Sequence, residues 1–150
     1  MENSVSLDGF IQIALVVSDM EKALDSWCKI FNVERPNVRI TEPKEEPNGF
    51  FRGKPVHFGL KFAVINCKER GFVVELHEPD QNPSTFRDFL DKHGNGVHHI
   101  GFKVGERKAA VISELEAMGY ALRNTVKNNS WTLVDTEDTL GVNLNIKPLV

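Results

Sequence analysis

Four polar side chains occupy matching places in two similar halves of this 150-residue chain. Gln12 and His99 each lie on the first predicted strand of a half, whereas Glu75 and Asn145 each lie on the last, with apolar neighbours on either side. Carboxylate and amide oxygens and imidazole nitrogens are suitable ligands for a divalent cation. If both halves face one cavity, these four side chains can therefore converge on a single metal ion.

Two further histidines could take part in proton transfer. His57 and His77 share a predicted strand face with Lys61 and Glu75, so they would point toward the same cavity. Imidazole titrates near neutral pH and can act as a base. The more ordinary alternative is that each is a histidine of the cavity rim or of an interface.

The elements that position these residues can be read from the hydrophobic pattern. A near-continuous apolar run predicts a buried strand at Ile11–Val17, and alternation predicts a half-buried strand at Val56–Cys67. A capping box at Ser18 and Glu21 predicts a helix that ends at Asn32. Further strands are predicted at 38–41, 71–77, 99–104, 120–125, 131–135 and 142–147, further helices from Ser84 and over 106–118, a mobile loop around 41–49, and turns at 127–130 and 135–141.

The order strand, helix, three strands occurs twice along the chain. When Gln12 is placed on His99, residues 30–32 fall on residues 117–119, so both helices end together. We therefore predict one domain over 1–150, an α+β fold of two βαβββ modules at about 8–95 and 96–150. Side by side, the modules would form a curved mixed sheet with helices on its convex face and a cup on its concave face.

Composition excludes several classes of partner. The formal net charge is −3, whereas surfaces that bind nucleic acid or anionic membranes are basic. No apolar run is long enough to span a bilayer, and the N-terminus does not have the pattern of a signal peptide. Cys28 and Cys67 are far apart and are interpreted as reduced thiols, which predicts a cytoplasmic protein.

Several segments resemble one superfamily over nearly the whole chain. The stretch VVELHEP, the helix after it and GVHHIGFKV are similar to the central segment of glyoxalase I-like and methylmalonyl-CoA epimerase-like proteins. QIALVVSDMEKAL resembles the first strand and helix of these proteins, and WTLVDTEDTLGVNLNI resembles their final hairpin. This is the vicinal oxygen chelate superfamily, which also includes bleomycin-resistance proteins.

The resemblance implies a metal site formed by Gln12, Glu75, His99 and Asn145. The family usually has Glu at the position of Asn145, where it serves as both ligand and base, and its epimerases have a second base near Lys61. An amide cannot abstract a proton, and its lack of charge weakens metal binding. The remaining candidate catalytic residues are Glu75, His77, His57 and Lys61, with a weakly bound Zn, Ni, Co, Mn or Mg ion and no organic cofactor.

Two functions follow from the resemblance. The first is a metal-dependent isomerase or lyase of the methylmalonyl-CoA epimerase or lactoylglutathione lyase type, in which the metal stabilises an enediolate during α-proton transfer. The alternative is a non-catalytic small-molecule binding or resistance protein with a degraded metal site. Either would act on a small molecule such as an acyl-CoA or a 2-oxo compound, and by analogy as a homodimer. An extradiol-type iron dioxygenase is disfavoured, because it needs two His and one carboxylate.

Overall fold

A computed structural model describes residues 5–126 and 131–148 of the chain. The strands are β1 Phe10–Val16, β2 Arg39–Thr41, β3 Gly49–Phe51, β4 Lys54–Val56, β5 Leu60–Cys67, β6 Phe72–Pro79, β7 Gly96–Lys103, β8 Leu122–Val126, β9 Thr132–Val134 and β10 Asn143–Lys147. The helices are α1 Met20–Phe31, α2 Thr85–His93, α3 Lys108–Ala117 and α4 Glu137–Leu140. None of the described helices has the length and apolar character needed to cross a membrane.

All of these strands belong to one curled mixed sheet that forms a half-barrel, in the order β2-β5-β6-β1-β7-β10-β9-β8-β3-β4. The centre of the sheet is symmetric, because β1 and β7 run antiparallel while β6 and β10 flank them in parallel. Gln12 lies opposite Gly101, and Ala14 lies opposite His99. The predicted fold class is therefore confirmed, and the pairing agrees with placing Gln12 on His99.

The helices pack on both faces of the sheet rather than on one. Helix α1 covers a cluster that includes Ala63 and Leu76, and helix α3 covers the outer face of β7 and β10. Helix α2 lies on the concave face instead, where Phe86 packs with Val16 in a separate cluster. The expectation that helices occupy the convex face holds for α1 and α3, while α2 fills one end of the cup.

Local sequence determines the residues at which two of the helices begin or end. The N-cap of α1 is Asp19, whose carboxylate accepts a bond from the Lys22 N–H, so the predicted box at Ser18 is displaced by one residue. Asn32 ends this helix in the left-handed conformation, as predicted. Ser84 caps α2, also as predicted, by accepting from the Arg87 N–H at 3.0 Å.

The sequence did not reveal the hairpin formed by β3 and β4. It begins at Gly49, the last residue of the predicted loop around 41–49, and it pairs through β3 with β8 of the second half. Residues 42–48, which we call the strap, therefore run from β2, at one end of the sheet, to β3, which is the second strand from the other end. The long predicted strand at Val56–Cys67 is correspondingly divided between β4 and β5.

Candidate functional site

A cavity of about 580 Å³ opens on the concave side of the sheet. Its walls are largely apolar and include Phe58, Leu60, Phe62 and Trp131. Residues of the strap line another side, and Lys147 contributes a positive charge. Pockets of this size and character typically hold small organic ligands.

Glu75 is the one predicted site residue that lines this cavity. Its side chain is 9% exposed, and burial raises the pKa of its carboxyl group. The increase in the pKa is opposed, but not cancelled, by the positive charge of Lys147 and by the polar side chains of Gln12 and Trp131. Glu75 is thus a buried acid whose protonated form is favoured relative to an ordinary glutamate.

Gln12 and Asn145 lie beneath the cavity and bind each other. The Asn145 Nδ2 donates to Gln12 Oε1 at 3.1 Å, and Asn145 Oδ1 accepts from the Thr132 N–H at 3.1 Å. The Gln12 side chain lies across Gly101, where a β-carbon would come within 2.2 Å of Gln12 Oε1. Both amides are completely buried, and both amide oxygens already accept hydrogen bonds within the protein.

His99 is also completely buried and contacts its neighbour His98. A β-bulge between the pairs Ala14–His99 and Leu15–Val97 leaves His98 as an extra residue on β7. Bulges re-aim side chains, and here the two Nδ1 atoms of adjacent histidines come within 2.8 Å. Burial lowers the pKa of both imidazoles well below the usual value, so both are neutral at pH 7.

His77 is enclosed by aromatic rings. Its imidazole stacks on Phe62 and Phe86, with ring centroids 5.2 Å and 4.9 Å away, and Trp131 meets it edge-on. Its Nδ1 donates to the Leu15 carbonyl at 3.2 Å. Burial lowers the pKa of His77 to about 4, so this ring is a weak base at neutral pH.

The structure does not bring Lys61 and His57 to the cavity. Phe62 pairs with His77, which places Lys61 on the opposite face, where its Nζ binds Glu78 at 3.0 Å. The His57 Nδ1 binds the Lys44 carbonyl of the strap at 2.9 Å. Neither side chain lines the cavity with Glu75, and the β5–β6 register accounts for the outward orientation of Lys61.

A buried arginine beneath α2 was missed by the sequence analysis. The Arg123 guanidinium is 2% exposed and contacts Asp88, Asp135 and Glu137 at 3.1 to 3.3 Å. Its Nε donates to Thr85 Oγ1 at 2.8 Å, and Thr85 Oγ1 lies 2.9 Å from His98 Nε2. The arginine is thereby connected to the histidine pair, although no sequence signal pointed to it.

The arrangement does not fit the four-ligand metal site that the resemblance implies. Gln12 Oε1 and Asn145 Oδ1 face protein donors, so neither amide oxygen is directed at a shared centre. Within residues 5–126 and 131–148, no three His, Cys, Asp or Glu side chains are grouped closely enough to hold a metal ion. The predicted set of Gln12, Glu75, His99 and Asn145 lies in one region, but the oxygens of its two amides are already hydrogen-bonded within the protein.

Comparison with solved structures identifies the fold. Methylmalonyl-CoA epimerase from Mycobacterium tuberculosis superposes with a TM-score of 0.57 and 17% identity, covering 98% of this chain and 93% of that chain. A variant of the Streptomyces coelicolor methylmalonyl-CoA epimerase in complex with 2-nitronate-propionyl-CoA gives 0.56 and 19%, with 95% and 96% covered. At such identities, these structures are similar in fold alone.

A similar half-barrel occurs within a larger enzyme, a triple mutant of 4-hydroxymandelate synthase from Streptomyces coelicolor. The TM-score is 0.61 at 15% identity, covering 94% of this chain and 49% of that chain. No curated protein matches the sequence significantly. Residues 11–131 match the family described as the glyoxalase, bleomycin resistance protein and dioxygenase superfamily. The match spans most of the sequence, and the chain therefore belongs to this superfamily, as the resemblance indicated.

Proposed function

We propose that this protein binds a small organic molecule in the cup without using a metal ion. The observation that carries the proposal is the Asn145 amide, which stands where the resemblance places a carboxylate that is both ligand and base. Its two polar atoms are already bound to Thr132 and Gln12. An amide so engaged neither abstracts a proton nor contributes an anionic ligand.

The cavity itself supports a ligand with an apolar or aromatic part and a polar group. Phe58, Leu60 and Phe62 supply the apolar wall, and Trp131 provides an indole surface on which a ring can stack. Glu75 and Lys147 supply polar groups of opposite charge at the inner side. Sites that bind small molecules combine an apolar lining with a few such groups.

Tryptophan fluorescence provides a direct binding test. The chain has two tryptophans, so Trp27→Phe leaves Trp131 as the single reporter in the cavity. Methylmalonyl-CoA, pyruvate and 4-hydroxymandelate are titrated against this variant, and a ligand is expected to change the fluorescence and to raise the melting temperature. The affinity obtained from the fluorescence titration should fall at least tenfold in Phe62→Ala, which alters the cavity wall. It should be unchanged in Ile30→Ala, because Ile30 lies on α1 and is 73% exposed. If no compound of these three classes binds, the proposal for these classes is wrong.

A second candidate function is favoured by Glu75. A cavity-lining acid with a raised pKa is suited to moving a proton to and from a bound substrate. This isomerase or lyase activity would exchange an α-hydrogen of the substrate with solvent deuterium. The exchange should disappear with Glu75→Gln, while binding remains. Exchange that persists in Glu75→Gln would exclude this role.

A further inference from the structure

Two lysines lie side by side at one end of the cup. Lys103 and Lys147 are paired in the parallel register of β7 and β10. Their neighbours Phe102 and Ile146 pack in the outer cluster that α3 covers, so alternation directs both lysine side chains to the concave face. Like charges on directly opposite residues of neighbouring strands repel each other. An anion between the two ammonium groups would offset this repulsion.

Among the described residues, no carboxylate group forms an ion pair with either lysine. The buried acid of the cup, Glu75, lies farther along the sheet. Its backbone is aligned across β1 with that of His99, which is four residues before Lys103 on β7. At a rise of about 3.3 Å per residue, the two positions are about 13 Å apart along the strands. The positive end of the cup is therefore distinct from its acidic part.

The Glu75 carboxyl group has neutral polar neighbours. The Gln12 amide and the Trp131 indole lie beside it, and both groups are hydrogen-bond donors. Lys147 acts on this carboxyl group through its charge but forms no ion pair with it. The ammonium group of Lys147 therefore keeps N–H donors that a ligand can use.

The other charged side chains that line the cavity are exposed. They are Arg39 at the rim and Glu42, Lys44 and Glu46 on the strap. Water and salt screen exposed charges, so these four have a small effect inside the cavity. Lys147 is only partly exposed, and its charge acts more strongly on a bound molecule. The positive charge that a ligand meets inside the cup is therefore chiefly that of Lys147.

Two aromatic rings line the same cavity as Lys147. Trp131 meets Phe62 edge-on, with ring centroids 5.9 Å apart and an angle of 88° between the planes. Rings at this angle form a corner in which a planar apolar group can lie against one face and one edge. Because the cavity is a single space of about 580 Å³, a ligand held in this corner can extend an anionic group to Lys147.

We propose that the ligand of the cup is an organic anion whose carboxylate group binds Lys147 and whose ring packs against Trp131 and Phe62. This ligand class rests on the proposed function, to which it adds a charge. A carboxylate accepts short, charge-assisted hydrogen bonds from an ammonium group. It would also offset the repulsion between Lys147 and Lys103, whereas a cationic ligand would increase that repulsion.

A matched series of ligands tests the charge. 3-Phenylpropanoate, 3-phenylpropanamide and 3-phenylpropylamine share a ring and a three-carbon chain, but they are anionic, neutral and cationic at about pH 7. They are titrated against the Trp27→Phe protein, in which Trp131 reports binding. The anion should bind about tenfold more tightly than the amide, and the amine should bind most weakly. If the amide or the amine binds as tightly as the anion, the cup binds small molecules but the inference about charge is wrong.

Substitutions of Lys147 locate the anion. Lys147→Gln removes the charge, whereas Lys147→Arg keeps it. The affinity for 3-phenylpropanoate should fall about tenfold in Lys147→Gln, and the affinity for the amide should not change. Lys147→Arg should retain most of the affinity for the anion, and Lys29→Gln, which alters an exposed lysine of α1, should retain all of it. Equal losses for the anion and the amide would show that Lys147 contributes packing alone, which would overturn the inference.

Iodide provides a test that needs no ligand. Iodide and acrylamide both quench indole fluorescence on contact, but only iodide is attracted by a positive charge. In the Trp27→Phe protein at low ionic strength, the ratio of the iodide to the acrylamide quenching constant should fall about twofold in Lys147→Gln, as expected for one unit charge about 10 Å away in water. The ratio should stay unchanged in Lys147→Arg. An unchanged ratio in Lys147→Gln would overturn the inference even if none of the three compounds binds.

Discussion

Acidification should destabilise this protein mainly through its buried histidines, and His77 allows the effect to be isolated. The folded-state pKa of His77 is lowered to about 4 because the ring is enclosed between Phe62 and Phe86. In the unfolded chain the ring is hydrated, with an ordinary pKa of about 6.5. Between these two values the unfolded chain binds more protons than the folded protein, so stability falls as the pH falls.

The magnitude follows from the two pKa values. The complete lowering from 6.5 to about 4 corresponds to about 3 kcal/mol of stability, lost once the pH is below both values. Between about pH 7 and about pH 5, the share of His77 is about 2 kcal/mol. His98 and His99, whose pKa values are also lowered, add to the total acid sensitivity. Glu75 works in the opposite direction, because its pKa is raised.

Urea unfolding at pH 7 and pH 5 measures this contribution. His77→Phe keeps an aromatic ring between Phe62 and Phe86 but cannot take up a proton. It loses the bond to the Leu15 carbonyl at both pH values, so it should be less stable overall but lose about 2 kcal/mol less than the unmodified protein on acidification. His57→Gln serves as the control, because His57 lies away from the rings of Phe62 and Phe86. This variant should lose as much stability on acidification as the unmodified protein. An equal loss in His77→Phe and the unmodified protein would refute the argument.

Three further substitutions test the packing around the site. Arg123→Leu should cost about 3 kcal/mol in urea unfolding because it removes the buried cation that three carboxylates share, whereas Arg87→Leu, which removes one i,i+4 ion pair of α2, should cost below about 1 kcal/mol. Gly101→Ala should cost about 1–3 kcal/mol, since the new methyl group meets the Gln12 side chain; a neutral result would mean that Gln12 can move aside. Asp19→Ala should cost about 1 kcal/mol through loss of the N-cap, and unchanged stability would show that Ser18 can replace it.

Much of the fold could be predicted because its pattern is local. The apolar run at Ile11–Val17, the cap at Ser84 and the helix end at Asn32 depend on neighbouring residues and are found as expected. The orientation of Lys61 could not be predicted in this way. It depends on the register between β5 and β6, and a shift of one residue moves every side chain to the other face.

The sequence indicated which strands carry the candidate site residues but not how their side chains are hydrogen-bonded. The sequence indicates that Gln12, Glu75, His99 and Asn145 occupy equivalent strands, and the structure places them in one region. It cannot indicate that Asn145 is bound by the Thr132 N–H, because that bond joins two strands by their backbone spacing. Arg123 was missed for a related reason: a single arginine on a strand usually faces solvent, and here carboxylates from other elements make its burial possible.

The strap limits how far the half-barrel can open. It joins β2, at one end of the sheet, to β3, near the other end, and contributes several residues to the cavity. About eight peptide steps separate Thr41 from Gly49, so these two residues can never be more than about 28 Å apart. The Asn48 side chain shortens this tether further, since it bonds to both backbone groups of Phe58. A ligand that enters the cup must therefore pass beside a covalent loop of fixed length, and that loop sets an upper limit on the size of the ligand.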